Sequence, residues 1–313
     1  MKPPPSPVGI ELRKFAGPSA YVGPLGSSPD GALRVAHLTD LHVGRVTPMK
    51  VQFAAVALTN MERPDLVVIT GDFVCHSQNY LDELYEVIRR FEAPVIGVLG
   101  NHDHWAGAAE VRRTLRRAGA EVLDNRHTML TLRGARLQVL GLDDAYTGHA
   151  DRAAALMGLR HDVPTLGLSH IAEEADALWA GGVPLVLSGH THAGQVTFAR
   201  LHELAIGKLA GHRYVHGLYG TRQTAQPPHG AVYVGAGIGA SVMPLRLGER
   251  GRREIALFEL GTAPGTYVEH HHSQPPLPGR KPTPEIVAKR ALAVAKKLQK
   301  REKAAARKSG AKG

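Results

Sequence analysis

The sequence predicts an α/β fold whose functional site lies at the carboxyl ends of its strands. Five short, largely apolar runs are typical of buried strands, and they occupy residues 34–39, 65–70, 94–99, 164–169 and 184–188. Each run ends directly at a small group of polar residues. Because open α/β sheets bind ligands beyond the carboxyl ends of their strands, this placement indicates one composite site.

The five polar groups offer ligands for metal ions. In chain order they are Asp40-x-His42, Gly71-Asp72, Gly100-Asn101-His102-Asp103, Ser169-His170 and Gly189-His190-Thr191-His192. Carboxylate, amide and imidazole ligands suit Mn, Fe, Zn or Mg, and the lack of a thiolate among them argues against a structural zinc knuckle. Seven ligands from five places are too many for one tetrahedral ion. We therefore expect two ions that share one carboxylate.

The other predicted elements alternate with these strands. Helices are expected over residues 49–61, 79–91 and 110–118, each between two strands, and residues 8–16 alternate as an opening edge strand would. Further strands, expected in a second sheet, are predicted over residues 128–132, 136–142, 231–234 and 254–260. The glycines at 235, 237 and 239 are interpreted as a loop close to the metals, because Pro244 follows where a dinucleotide fingerprint needs a helix.

In combination, the motifs resemble the signature of the calcineurin-like metallophosphoesterase family, which reads D-x-H, GD, GNH[DE], a lone H and GHxH. The resemblance spans about residues 34–260. It implies a four-layer sandwich of two packed β-sheets flanked by helices, followed in this chain by a basic C-terminal tail. It also implies that Asp40, His42, Asp72 and His192 hold one ion, that Asp72, Asn101, His170 and His190 hold the other, and that Asp72 bridges them.

The same resemblance implies a dinuclear metal-dependent phosphodiesterase. Such an enzyme cleaves a phosphodiester or pyrophosphate by attack of a metal-bridging hydroxide. His102 is expected to lie over the ions without binding either and to act as general acid, with Asp103 orienting its ring. Manganese is the expected metal, with iron, zinc or magnesium as the alternatives.

Residues beside the motifs bear on the substrate. The segment Gly71-Asp72-Phe-Val-Cys75-His lacks the Asp-Arg-Gly that follows GD in protein Ser/Thr phosphatases. The succession of segments 188–195, 214–219 and 234–241 resembles the bacterial membrane-associated phosphodiesterase branch, which includes UDP-diacylglucosamine hydrolases. Cys75 and Ala193 depart from that branch, where an acidic residue and a glycine are usual. A small or lipid-linked phosphoester is the expected substrate.

Two other functions remain open. A cyclic-nucleotide phosphodiesterase uses the same seven ligands, so the motifs do not separate it from the first hypothesis. A non-catalytic metal-binding scaffold, with the tail as its interaction arm, is the alternative from a different class of protein. Scaffold members usually lose ligands, whereas this chain has the complete set.

The positive charge of the chain is confined to its C-terminal end. The formal net charge is +10, and residues 280–313 hold twelve Lys or Arg against two Glu, whereas the remainder has 26 basic and 26 acidic residues. A neutral body argues against a nuclease and against nucleic-acid binding. We expect a catalytic domain over residues 8–262, a proline-rich linker over 263–283 and a basic helical or disordered tail over 284–313.

The tail also bears on localisation. Val287, Ala291, Val294 and Leu298 form a narrow apolar stripe among basic residues. Such a segment suits an anionic membrane surface, contact with RNA or acidic proteins, or a solvated tail. A single cysteine, no signal core and no apolar span predict a cytoplasmic protein, peripheral on the inner membrane if the tail binds lipid.

Overall fold

The computed structural model describes residues 9–15, 27–28, 31–194, 211–220, 230–240 and 252–261, together with Ala288 and Leu292. Its strands form two mixed sheets. The first contains β1 (Ile10–Phe15), β2 (Ser27–Ser28), β3 (Gly31–Leu38), β4 (Leu66–Thr70), β5 (Val95–Val98), β6 (Ala120–Val122) and β13 (Arg253–Leu260). Its order is β1-β13-β3-β4-β5-β6, with β2 paired to β3, and β3 to β6 run parallel.

The second sheet contains β7 (Arg126–Leu132), β8 (Ala135–Leu142), β9 (Thr165–Ser169), β10 (Leu185–Ser188), β11 (Gly217–Gly220) and β12 (Ala231–Val234). Its order is β11-β12-β10-β9-β8-β7, with β8, β9, β10 and β12 parallel. All five runs predicted as strands before the polar groups are therefore strands, three in the first sheet and two in the second.

The two sheets pack face to face between layers of helices. Along β4, Leu66 and Val68 join a core shared with the second sheet, whereas Val67 and Ile69 point to the opposite face and pack among helical residues. This alternation follows from the two-residue period of a strand. A third core fills the outer face of the second sheet, where Val186 packs with Leu178. The expected fold, two packed sheets flanked by helices, is confirmed.

Five α-helices connect the strands in the described residues: α1 (Met49–Met61), α2 (Leu81–Ile88), α3 (Asn101–Arg117), α4 (Arg152–Leu156) and α5 (Ala175–Ala180). The first two agree closely with prediction. The third begins nine residues earlier than predicted, at Asn101, because Asp103 in its first turn accepts a hydrogen bond from Gly100 N at 2.9 Å and stabilises the helix start. Gly107, at φ 124°, then kinks this helix.

One predicted strand was assigned to the wrong sheet. Residues 254–260 do form a strand, but β13 belongs to the first sheet, where it pairs antiparallel with β3 and parallel with β1. Both faces of β13 are buried, with Ile255 toward the helices and Phe258 toward the second sheet. A run that is apolar on both faces does not reveal which sheet it joins.

The predicted edge strand at residues 8–16 is β1, at one end of the first sheet. The predicted linker and tail, residues 263–313, lie outside the described residues except for Ala288 and Leu292, so the domain boundaries stay a prediction. Among the described helices, none combines the length and the hydropathy that a membrane span requires.

Candidate metal centre

The predicted ligands lie just beyond the carboxyl ends of β3, β4, β5, β9 and β10, most of them on left-handed backbone. The φ angles are 50° for Asp40, 43° for His42, 54° for Asp72, 74° for His190 and 51° for His192. Such a conformation disfavours residues with a Cβ and persists only when the surroundings enforce it. Hydrogen bonds from Asp40 N to Gly71 O, 3.0 Å, and from His42 N to Asp72 O, 2.9 Å, hold two of these turns.

Two glycines allow the loops to approach one another. A Cβ on Gly100 would collide with Oδ1 of Asp72, and a Cβ on Gly189 would collide with Oγ1 of Thr39. The glycines of GNHD and GHTH are thus required by the close contact between neighbouring loops. In the segment with glycines at 235, 237 and 239, the N–H of Gly239 donates to Asp40 O at 2.7 Å. The predicted loop beside the metal ligands is therefore observed.

Four side chains converge in a first cluster: Asp40, His42, Asp72 and His192. One ligand atom from each lies within 4.8 Å of the others, and all four side chains are buried. His42 Nε2 is 3.0 Å from His192 Nε2, and Asp40 Oδ1 is 3.3 Å from His192 Nε2. Nitrogen and oxygen lone pairs that converge in this way fit a divalent cation.

A second cluster lies on the other side of Asp72. His170 Nε2 is 3.5 Å from Asp72 Oδ2, 3.2 Å from Asn101 Oδ1 and 3.2 Å from His190 Nδ1. The other ring nitrogen of His170 is fixed by the carbonyl oxygen of Thr70 at 2.7 Å. Such a bond sets the orientation of a ligating imidazole.

One carboxylate oxygen belongs to both clusters. Asp72 Oδ2 is 3.5 Å from His42 Nε2 and 3.5 Å from His170 Nε2. Its partner oxygen, Oδ1, accepts a hydrogen bond from His102 N at 2.9 Å, which fixes the plane of the carboxylate. The structure therefore brings the seven predicted ligands together in two adjacent clusters that share one carboxylate, as two neighbouring cations would need.

Charge in this pocket is poorly balanced by the protein alone. Burial disfavours the charged imidazole of His170, but Asp72 outweighs it and raises the pKa of His170 to about 10. Burial raises the pKa of Asp40, and its Oδ1 has no hydrogen-bond partner in the described part of the chain. A buried carboxylate oxygen without a donor fits a cation ligand. The donor set therefore fits the divalent ions that the motifs predict.

His102 lies beside the clusters, with Nε2 3.9 Å from Asp72 Oδ2. Burial, reinforced by His42 and His76, lowers the pKa of His102 to about 3 although Asp72 opposes this. The imidazole is therefore neutral near pH 7.

The predicted role of Asp103 differs from what the structure shows. Its carboxylate accepts hydrogen bonds from Gly100 N at 2.9 Å and Val74 N at 3.1 Å, while Nδ1 of His102 has no hydrogen-bond partner among the described residues. Asp103 thus holds the helix start and the loop after β4 rather than the ring of His102. At the first turn of a helix, free backbone N–H groups compete for a carboxylate.

An acidic pair at the end of β8 was not predicted from the sequence. Asp143 Oδ1 is 2.8 Å from His104 Nε2, and the Arg112 guanidinium donates to the other carboxylate oxygen at 3.0 Å. Asp144 is fully buried, and its Oδ1 has no hydrogen-bond partner in the described residues. The signal was available, since two carboxylates directly follow the apolar run 137–142.

Cys75, which stands where an acidic residue is usual in the membrane-associated branch, lies beside the first cluster. Its sulfur and one ring nitrogen each of His42 and His102 lie within 4.8 Å of one another. Burial and the carboxylate of Asp72 raise the pKa of the Cys75 thiol.

The sequence is similar to those of known phosphoesterases. The family described as "Calcineurin-like phosphoesterase" matches residues 33–194. The chain is 28% identical over 233 residues to "Uncharacterized metallophosphoesterase YkuE" of Bacillus subtilis (strain 168), which covers 72% of this chain and 78% of YkuE. It is 28% identical over 235 residues to "Phosphodiesterase YaeI" of Escherichia coli (strain K12). That alignment covers 72% of this chain and 82% of YaeI.

A vertebrate protein is similar over a smaller share of its own length. The chain is 32% identical over 235 residues to "Transmembrane protein with metallophosphoesterase domain" of Danio rerio. That alignment covers 70% of this chain and 51% of the Danio rerio protein.

Proposed function

Because the chain belongs to the calcineurin-like phosphoesterase family, and is thus a metal-dependent phosphoester hydrolase, we propose that it hydrolyses phosphodiesters at a centre of two divalent cations. The single observation that carries the proposal is the position of Asp72 Oδ2, 3.5 Å from an imidazole nitrogen of each cluster. A shared carboxylate is what a pair of closely spaced cations requires. The relative YaeI is named a phosphodiesterase, which supports the choice of a diester.

The first cation would be held by Asp40, His42, Asp72 and His192, and the second by Asp72, Asn101, His170 and His190. When bound, such cations would neutralise the charge of a phosphoryl group and lower the pKa of a water molecule. The protein favours metal binding by burying the carboxylates that would hold the ions. Because the carboxylates of Asp40 and Asp72 are 0% and 1% exposed, solvent does not compete for their oxygens.

His102 is the proposed general acid, which gives a proton to the leaving oxygen. The imidazole is neutral before substrate binds, since its pKa is about 3. A phosphate anion beside the ring favours the imidazolium, so the ring would take up a proton from solvent as the ester binds and pass that proton to the leaving oxygen. The backbone of His102 is held beside Asp72, because its N–H donates to Asp72 Oδ1 at 2.9 Å.

Hydrolysis of bis-p-nitrophenyl phosphate tests the proposal. We expect turnover with added Mn²⁺, none with EDTA, and recovery when Mn²⁺ is restored in excess. Iron, zinc and magnesium added in parallel identify the preferred ion. If no metal restores hydrolysis above the rate of an Asp72→Ala variant, the chain is a scaffold and not a phosphodiesterase.

A substrate panel separates the finer hypotheses. Cyclic AMP, UDP-diacylglucosamine and single-stranded DNA represent the cyclic-nucleotide, lipid-linked and nucleic-acid substrates. We expect no preference for DNA, because the chain outside residues 280–313 has equal numbers of basic and acidic residues. A marked preference for UDP-diacylglucosamine would support the membrane-associated branch.

The proposed contact between residues 280–313 and an anionic membrane has its own test. Vesicles with phosphatidylglycerol are sedimented with the full chain and with a chain that ends at residue 279. The twelve basic residues of the segment would give the full chain the higher bound fraction, decreasing with salt. Equal sedimentation of both forms would remove the membrane role and favour a protein that does not rest on the inner membrane.

A further inference from the structure

A row of partly exposed aromatic rings begins at the proposed general acid. We name it the aromatic row and define it as His76, Trp105 and Tyr146. The His76 ring lies 3.8 Å from the His102 ring, measured between centroids, and stacks on Trp105 at 5.3 Å with an interplanar angle of 12°. Trp105 also touches His102 directly, at 4.9 Å between centroids.

The row continues to the other cluster of the metal centre. Tyr146 meets Trp105 edge to face, at 6.0 Å and 79°, and its ring also lies 5.2 Å from that of His190. The row therefore joins the proposed acid to a proposed metal ligand. His76 and Tyr146 lie in the loops that follow β4 and β8, and Trp105 lies in the first turns of α3, which follows β5.

Helix geometry explains why Trp105 faces the site. His102 and Trp105 are three residues apart in the first turns of α3, so they share one face of the helix. The kink at Gly107, two residues later, redirects the rest of the helix, and a Cβ there would collide with Gln78. The first turns can thus follow the site while the remainder packs on the first sheet.

The two tryptophans of the chain lie in different environments. Trp179 is 6% exposed, packs in the third core and donates from Nε1 to Ala231 O at 3.1 Å. Trp105 stays partly exposed beside a catalytic pocket. Large aromatic surface left in water beside a polar site is typical of ligand binding, because it is unfavourable unless a partner covers it.

We propose that the aromatic row stacks a planar ring of the substrate, so that preferred diesters carry a nucleobase or another aryl group on the side of phosphorus that faces His102. This inference rests on the proposed function. Trp105 and Tyr146 present rings of fixed orientation and a phenol hydroxyl, a combination that suits a flat ring with polar edges. Base–aromatic stacking of this kind tolerates different bases.

Paired inhibitors isolate the ring from the phosphate. AMP and ribose 5-phosphate share a phosphate and a sugar and differ in the base. With Mn²⁺ and bis-p-nitrophenyl phosphate as substrate, we expect AMP to have an inhibition constant about tenfold lower than that of ribose 5-phosphate. In Trp105→Leu the two constants should become equal within about twofold, through weaker AMP inhibition alone.

A matched control and a second readout complete the test. Tyr85, a partly buried ring on α2 that lies under Arg89 and Arg117, is changed to leucine and should keep the tenfold difference. Trp105 fluorescence, obtained as the difference between the wild type and Trp105→Leu, should be quenched by AMP and unchanged by ribose 5-phosphate. This readout needs no turnover.

The outcomes separate the two proposals. If the chain hydrolyses the diester but AMP and ribose 5-phosphate inhibit equally and neither changes the fluorescence, the stacking subsite is wrong and the phosphodiesterase stands. If AMP quenches Trp105 but no metal supports hydrolysis, the subsite stands and the proposed reaction fails. Retention of the tenfold difference in Trp105→Leu would also overturn the subsite.

Discussion

Asp72 holds the two halves of the centre together, at the scale of a single residue. Its Oδ2 faces imidazoles from both clusters, and its Oδ1 accepts the backbone N–H of His102. Burial alone would raise the pKa of Asp72, but His170 and His102 lower it well below the usual value. The side chain is therefore a carboxylate at every pH where the enzyme would work, as a bridging ligand must be.

Replacement of Asp72 by alanine should remove both ions and all activity. Either cluster loses a shared oxygen, and the remaining imidazoles are left close together without an anion between them. Metal content measured by inductively coupled plasma mass spectrometry after gel filtration in Mn²⁺ should fall from about two ions per chain to below one. Asp82→Ala, on an exposed side chain at the start of α2, is the control and should keep both ions. Two ions retained by Asp72→Ala would refute the bridging role.

Replacement of His102 by alanine should leave the metals in place and slow the reaction in a manner that depends on the leaving group. General acid catalysis contributes about 10²- to 10⁴-fold to esters with poor leaving groups, and little when the leaving group is p-nitrophenolate. We expect kcat for a nucleoside alkyl diester to fall at least about 100-fold more than kcat for bis-p-nitrophenyl phosphate.

The control for this variant is His127→Ala, on the edge strand β7, which should change neither kcat. A loss of equal size on both esters would mean that His102 positions the phosphate and does not supply a proton.

For single residues, the sequence predicted which side chains would converge better than it predicted the contacts around them. Asp40 and His190 could be found because each follows an apolar run. The left-handed backbone at these residues could not be predicted, because it is imposed by hydrogen bonds to other loops. The interaction of Asp103 with Gly100 and Val74 depends on where the helix starts, which the spacing did not show.

Elements were predicted well where the apolar period was clear. Helix α1 matches its prediction, whereas α3 begins at a motif that was interpreted only as ligands. The sheet that β13 joins could not be predicted, because strand patterns carry no information about distant partners.

A buried ionic network fixes β13 and the glycine loop beside the metal centre. Glu254, on β13, accepts from Arg13 at 2.9 Å, lies 2.8 Å from His216 Nε2 and accepts the Tyr233 hydroxyl. The network links strands of both sheets. Burial alone would raise the pKa of Glu254, but Arg13 and His216 lower it well below its usual value.

The change Glu254→Gln should destabilise the protein by about 3 kcal/mol at pH 7, because the buried guanidinium of Arg13 loses the carboxylate that lies 2.9 Å from it. The folded pKa of Glu254 is depressed, so the carboxylate contributes stability above the unfolded pKa near 4.5, and this contribution disappears as the pH falls through the folded value. The difference between wild type and variant should thus be full at pH 7 and smaller at pH 4.

Urea unfolding in EDTA at the two pH values measures this difference. Glu86→Gln, on an exposed residue paired with Arg89 and Arg90, should cost less than about 1 kcal/mol at either pH. A loss for Glu254→Gln that is unchanged between pH 7 and pH 4 would show that the network acts by packing rather than by charge.

At the scale of the whole molecule, the predicted ligands follow strands of both sheets. Asp40, Asp72 and Asn101 follow strands of the first sheet, and His170 and His190 follow strands of the second. The sheets otherwise meet through an apolar core, which is not directional. Ions bound between them would therefore fix one alignment of the sheets, so metal binding and folding should be coupled.

This coupling predicts that Mn²⁺ stabilises the protein through both sites. A ligand at 100 times its dissociation constant adds about 2.7 kcal/mol per site, and each kcal/mol raises Tm by roughly 2–4 °C in a domain of this size. Calorimetry in saturating Mn²⁺ should therefore give a Tm at least about 10 °C above that in EDTA. Asp72→Ala should lose most of the shift, and Asp82→Ala should keep it. A wild-type Tm that does not respond to Mn²⁺, zinc or iron would mean that the seven side chains do not hold ions between the two sheets, and the dinuclear mechanism would lose its basis.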